Sequence, residues 1–187
     1  LVPMNNPGLV CLPTHRMLVD VDLTGLLDRL DSKFEIESFA PDREAQSTII
    51  QALEERKHAF GLILPDEYHL LTLKEEAALD PGKLGVSPAY AELDVTILHK
   101  LILEDEFGIG QEELRAQTKV RYTRCTQEAV DSVLEGKVLA SLLMGPLDAT
   151  AVKLVAEAGE KMPQKSTYFY PKLITGLVLN PLDEQNS

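Results

Sequence analysis

Cysteine is scarce in this sequence. There are two, Cys11 and Cys125, and neither has a second Cys at metal-ligand spacing. That excludes a disulfide framework and a cysteine-based metal site. Two buried or half-buried free thiols in a reducing, cytoplasmic compartment are expected, with a Cys11–Cys125 contact as the alternative. Long apolar runs are missing too: none approaches the roughly 20 residues of a membrane span, so no membrane partner is expected. Basic residues are few, 18 Lys and Arg against 30 Asp and Glu, for a net charge of −12. Such a surface repels phosphate backbones, whose neutralisation supplies most nucleic-acid affinity, so DNA or RNA is not an expected partner. No glycine-rich run precedes a Lys-Ser or Lys-Thr pair at a helix start, which excludes a Walker-type phosphate loop. No Ser–His–Asp, Cys–His or metal-ligand spacing stands out. Glu104-Asp105-Glu106 lacks the glycine and alternating ligands of a calcium loop and reads as solvated helix-end charge. No metal ligands are assigned.

What is present is an ordinary globular composition, 44% hydrophobic and 26% charged over 187 residues, enough to bury a core without a staple. The chain opens Leu1-Val2-Pro3-Met4 before the turn signal Asn5-Asn6-Pro7-Gly8. This reads as the end of a strand whose start is missing, with Leu9 to Leu12 as the returning hairpin arm. The expectation is a single domain over 1–187, the C-terminal fragment of a longer protein whose N-terminal domain is absent, with an exposed apolar face near Leu1.

Periodicity supplies the elements. Asp22 opens a short helix to about Leu30, and Phe34 to Phe39 alternates as a half-buried strand. Asp42 begins an amphipathic helix striped by Ala45, Ile49, Ala52 and Leu53. Ala59–Leu64 and Tyr68–Leu73, split by Pro65-Asp66-Glu67, form the clearest hairpin. Asp80 to Pro88 reads as a loop, and Tyr90 to Glu106 as one long helix. Gln111 to Ala116 is a short helix, Val120 to Arg124 a strand, Thr126 to Leu134 a helix, and Val138 to Met144 a central strand. Asp148 caps a last helix. Tyr168–Tyr170 and Leu177–Leu179 are strand-like, and Asp183 opens a polar tail. The predicted fold is α/β with α+β character: a mixed sheet with a central β-hairpin, a βαβα crossover unit from Val120 to Gly159, and flanking helices. No internal repeat is visible.

Two segments could carry chemistry. Residues 161–182 contain Lys161, Lys165 and Lys172 and no Asp or Glu, and hold three of the chain's five tyrosines and five phenylalanines. Lys165, Ser166 and Thr167 present ammonium and hydroxyl donors that could converge on a phosphate or carboxylate; the alternative is a packed strand with wetted tyrosine tips, Tyr168 and Tyr170. Thr14-His15-Arg16 follows a strand, with His15 as a general base and Arg16 as an anion clamp; surface pairing of Arg16 with Asp20 or Asp22 is the alternative. His99 flanks the apolar face of the long helix and reads as a half-buried structural histidine. His58 and His69 flank the hairpin without evident ligand partners.

The strings PGLVCLPTHRML, HAFGLIL, LDVTILHKLILE and AEAGEKMPQKSTYFYPKLITGLVLNPL resemble the bacterial and archaeal family called domain of unknown function 1015. The resemblance covers nearly the whole chain but only the C-terminal part of the family's length. It implies an upstream Asp-Gly-His-His-Arg element, absent here, similar to one in ParB-like proteins and free-serine kinases. The motif positions carried over are His15, Arg16, His99, Lys165, Ser166, Thr167, Tyr168, Tyr170 and Lys172, none with a role fixed by the resemblance. The function expected is an accessory C-terminal domain of a ParB-like or kinase-like protein, giving phosphate or nucleotide contacts to a site shared with the N-terminal half. The fragment alone is not expected to be catalytic; the full-length protein is expected to be a small-molecule kinase using a nucleotide. The alternative is a structural or oligomerisation domain, with a homodimer as partner. DNA partitioning is opposed by the charge.

Overall fold

A computed structural model describes residues 10–170 of the chain. The expectations at Leu1, Lys172, Leu177–Leu179 and Asp183 lie outside the described residues. In chain order the elements are β1 (Val10–Cys11), β2 (His15–Leu18), α1 (Leu26–Asp31), β3 (Phe34–Phe39), α2 (Arg43–Glu55), β4 (Ala59–Ile63) and β5 (Tyr68–Leu73). Two one-turn helices follow, α3 (Pro81–Leu84) and α4 (Pro88–Ala91). Next come α5 (Asp94–Ile97), a π-helical stretch Leu98–Glu104, α6 (Asp105–Phe107), α7 (Gln111–Ala116), β6 (Val120–Thr123), α8 (Thr126–Leu134), β7 (Ala140–Met144), α9 (Ala149–Glu157) and β8 (Phe169–Tyr170).

Local chemistry accounts for the boundaries. The Asp42 carboxylate accepts the Ala45 N–H at 2.8 Å and starts α2, and Asp148 does the same for α9 through Thr150. The stretch Asp80–Pro88 is not a plain loop: Asp80 caps α3, Pro81 sits at its first turn, and Gly85 ends it at φ 66°. The expected helix from Tyr90 is broken at Glu92–Leu93. Ser87 caps the separate turn α4, and the continuous helix begins at Asp94 and widens into π geometry.

Six strands form an open sheet in the order β3-β5-β4-β7-β2-β6. The α/β class, the β4–β5 hairpin and the central β7 stand as expected. The sheet is antiparallel at every hydrogen-bonded step rather than mixed. The crossover strands β6 and β7 do run parallel to each other, but β2 is threaded between them, so no parallel ladder forms. A separate ribbon pairs Val10 with Tyr170 and Cys11 with Phe169.

One face of the sheet buries α2 and α8 through Ile49, Leu53, Ala129, Val130 and Val133. The other carries α1, the long helix, α7 and α9 against Phe34, Phe60, Leu62 and Leu71. Alternation along each strand separates the two cores. The arrangement has an approximate two-fold axis between β4 and β7, through the Leu62–Leu142 pair. It relates β3-α2-β4, with β5 inserted, to β6-α8-β7, with β2 inserted. Gly61 and Ser141 are equivalent under it. A Cβ at Gly61 would come within 2.8 Å of Ile49 on α2, and Ser141 donates to the Ala129 carbonyl of α8 at 2.8 Å. The repeat escapes the sequence because one inserted strand follows its unit and the other precedes it.

Candidate anion site beneath the Lys161–Tyr168 strap

Strand β2 lies deep in the sheet, so His15 and Arg16 are interior residues, 2% and 1% exposed, rather than groups at a strand exit. Alternation sends them to opposite faces. His15 points with Met17 toward α8. Its Nδ1 accepts the Met144 N–H at 3.2 Å, which leaves Nε2 to donate to Thr126 Oγ1 at 3.1 Å. Burial, and the nearby Arg16 charge, lower its pKa to about 4. The ring is neutral and both nitrogens are occupied, so His15 does not join the other candidates.

Arg16 points to the face of the long helix. Nη1 donates to the Thr14 carbonyl and to Met144 Sδ; Nη2 donates to His99 Nε2 at 3.3 Å and to the Lys165 carbonyl at 3.5 Å. Nε has no partner. Among the described residues no Asp or Glu forms an ion pair with it; its partners are neutral. The carboxylate on the wall of the adjoining cavity, Asp94, is committed to His58 at 2.8 Å. Burial lowers the Arg16 pKa to about 10, with Tyr122 pulling the other way, so the guanidinium is charged at neutral pH.

The strap brings part of the sequence-predicted set to the same place. The Lys165 ammonium lies 5.9 Å from the centre of the Tyr122 ring, and the Arg16 guanidinium carbon 5.8 Å from it. Two cations thus lie within 6 Å of the centre of one aromatic ring, a weak electrostatic substitute for an anion. Lys165 holds φ 56°, a left-handed conformation costly for a residue with a Cβ. Ser166 lines the cavity against Arg16 and donates to the Pro163 carbonyl at 2.6 Å. Thr167 is exposed. Tyr168 stacks under Arg124 at 3.9 Å and bonds Leu12 through its carbonyl, and Tyr170 is 55% exposed at the ribbon. The converging set is therefore Arg16, His99, Tyr122, Lys165 and Ser166. Sequence reading missed Tyr122, because only the β2–β6 register brings it opposite Arg16. It also missed the His58–Asp94 pair. The space beside Arg16 is about 20 Å³, room for roughly one water.

His99 is neutral: burial, then Arg16 and Lys100, lower its pKa to about 3. With Nε2 accepting from Arg16, the ring proton is on Nδ1. Among the described residues no group of three or more His, Cys, Asp or Glu is placed to hold a metal ion, and no helix is long and apolar enough to cross a membrane.

A family model described as "Protein of unknown function (DUF1015)" matches residues 1–96. Among solved structures, a conserved hypothetical protein from Pyrococcus furiosus is similar at TM-score 0.50 and 14% identity, over 90% of this chain and 59% of that one. A free serine kinase in complex with AMP is similar at TM-score 0.47 and 16% identity, over 90% of this chain and 56% of that one. The chain thus spans under three-fifths of the length of these structures. At 14% identity the likeness to the first of these concerns the fold alone. No curated protein matches.

Proposed function

The chain belongs to the DUF1015 family of proteins of unknown function, and from that premise we propose that it supplies the phosphate-holding part of a small-molecule site completed by groups outside the described residues. One observation carries this reading: a guanidinium 1% exposed, charged, and without a carboxylate partner among the described residues. Leaving a charge buried without a counter-charge costs several kcal/mol, so an external anion is the natural complement. The weakest internal acceptors mark where it enters. Lys165 O is the longest contact at 3.5 Å and Met144 Sδ is a poor acceptor. The space is too small for a phosphate as the strap stands, so binding exchanges the Lys165 carbonyl for a phosphate oxygen and relaxes the strained backbone there. Lys165 Nζ and Ser166 Oγ then complete the contacts. On this reading the ligand is a nucleotide or another phosphorylated small molecule, and phosphoryl transfer to a small acceptor is the proposed chemistry of the whole protein.

The competing scaffold reading also has an observation behind it: four of the five Arg16 N–H groups already meet internal acceptors. Calorimetric titration of inorganic phosphate and AMP into wild type and Arg16→Met separates the two. Saturable binding, weakened at least a hundredfold by Arg16→Met and about tenfold by Lys165→Ala, is expected for a guanidinium–phosphate contact. Equal binding by Arg16→Met overturns the anion reading; a large loss of melting temperature without any ligand effect supports the scaffold.

A further inference from the structure

A second concavity is bordered by His99 but not by Arg16, a cleft of about 280 Å³ between the π-helical stretch, α7 and the start of the strap. Its floor is apolar, from Ile109, Leu114 and Met162. Its polar groups are unbalanced. Thr96, 4% exposed, lines the cleft, and its hydroxyl has no hydrogen-bond partner. His99 lines it with Nδ1 carrying the proton, as its bond from Arg16 dictates. Arg115 and Lys161 stand on the rim and form no ion pair among the described residues. The carboxylate on the wall, Glu104, is held by Lys100 at 2.6 Å. Of the charged lining groups, Lys100, Arg115 and Lys161 are cations and Glu104 is an anion, so the local charge is positive in a chain of net −12. A buried hydroxyl without a partner is costly, and native interiors seldom retain one without a reason. The helix wall opposite is in π geometry, a form concentrated at functional sites.

We infer that this cleft binds a small hydroxylated oxyanion, either a hydroxy-carboxylic acid or the phosphate ester of a polyol. Its acid group lies between Lys161 and Arg115, and a hydroxyl or ester oxygen accepts from His99 Nδ1. The inference goes beyond the strap site, because nothing in it requires an anion at Arg16. Arg16 has a positioning role here: by donating to Nε2 it fixes the tautomer that turns a donor toward the cleft.

The test uses glycerate and glycerol 3-phosphate as probes, with glycerol as the neutral control. Binding is followed by calorimetry and by the imidazole nitrogen signals of His99. Saturable binding of at least one acid, none of glycerol, and a shift of the protonated Nδ1 signal are expected. The double variant Lys161→Ala/Arg115→Ala should weaken binding at least tenfold without lowering the melting temperature. The two probes distinguish carboxylate from phosphate ester. Absence of saturable binding by both acids, or binding unchanged in the Lys161→Ala/Arg115→Ala protein, overturns the inference.

Discussion

The two halves of the sheet solve the same packing problem and then diverge at one position. Under the axis through Leu62 and Leu142, β5 and β2 are equivalent inserted strands. His69 pairs with Leu62 as Arg16 pairs with Leu142, and both side chains are buried on the face of the long helix. In the first half the position is met in part by a near neighbour: His69 Nδ1 reaches Ser38 Oγ on β3 at 2.9 Å, Nε2 has no hydrogen-bond partner and lies 3.6 Å from the Glu67 carboxylate, and burial lowers the pKa of the ring. In the second half the facing residue on β6 is Tyr122, which offers a ring, and the position carries a permanent charge. The framework therefore accommodates a neutral polar residue here. The charge at Arg16 exceeds what the fold needs, and it lies under the one segment rich in lysine and free of acid.

The largest expected effect breaks the symmetry at the strand ends. Past β4 the chain turns through Pro65, whereas past β7 it passes so close to α2 that a Cβ on Gly145 would lie 2.2 Å from the Leu53 carbonyl. Backbone cannot yield as a side-chain tip does. Gly145→Ala should cost about 3 kcal/mol or more, read from urea unfolding, and should also disturb the cavity beside Arg16 that Gly145 lines. A cost below about 1 kcal/mol would show that α2 and β7 are not seated this closely.

Acid comes next. His15 has a folded pKa of about 4 and His99 of about 3, both lowered chiefly by burial. The unfolded chain takes up these protons near pH 6.5 while the folded chain refuses them until far lower. Stability is thus complete above pH 6.5 and falls as the pH drops toward 4. His15 alone contributes a loss of about 3 kcal/mol over that range. Denaturant midpoints at pH 7 and 4.5 measure it, and His15→Gln should flatten the profile. A midpoint constant across that range would mean that these rings are solvated.

Gly61 and Ser141 give a finer comparison. Gly61→Ala drives a methyl against Ile49 and the Leu143 Cβ and should cost about 1–3 kcal/mol. Ser141→Ala loses one hydrogen bond to Ala129, about 1 kcal/mol. Equal costs would mean that α2 and α8 do not approach the sheet in the same way.

Much of the framework was legible because its signals are local. Asp42, the Ile49–Leu53 stripe and the β4–β5 hairpin each lie within one short window, as do the apolar alternation of β3 and the buried run of β7. The antiparallel sheet was not legible, since it depends on β2 entering between two strands more than a hundred residues downstream. Arg16, Lys165 and Ser166 stood out by composition, but their meeting point did not. His15 and Arg16 are adjacent in sequence, and the pleat of a buried strand separates them onto opposite faces. Tyr122 and Asp94 carry no sequence signal, because each matters only through a partner from a distant element.

The smallest expected change in stability is the most informative, because its sign decides between the readings of Arg16. If the guanidinium serves only to pin the strap, Arg16→Met removes useful contacts and destabilises. If it is a charge held for a ligand, the free protein loses a desolvation penalty, and methionine packs against Met144 and Leu18 at little cost. Replacing buried ionic groups by apolar ones of similar volume is often neutral or stabilising. The expected outcome is a protein equal to wild type or more stable by about 1 kcal/mol in phosphate-free buffer. Added phosphate should raise the melting temperature of wild type and leave Arg16→Met unmoved. His69→Leu is the symmetry-matched control. It fills the equivalent position in the other half with an apolar side chain, and the phosphate response should persist unchanged. If both variants respond like wild type, the two halves are equivalent in function as well as in packing, and the excess charge at Arg16 has no ligand to answer to.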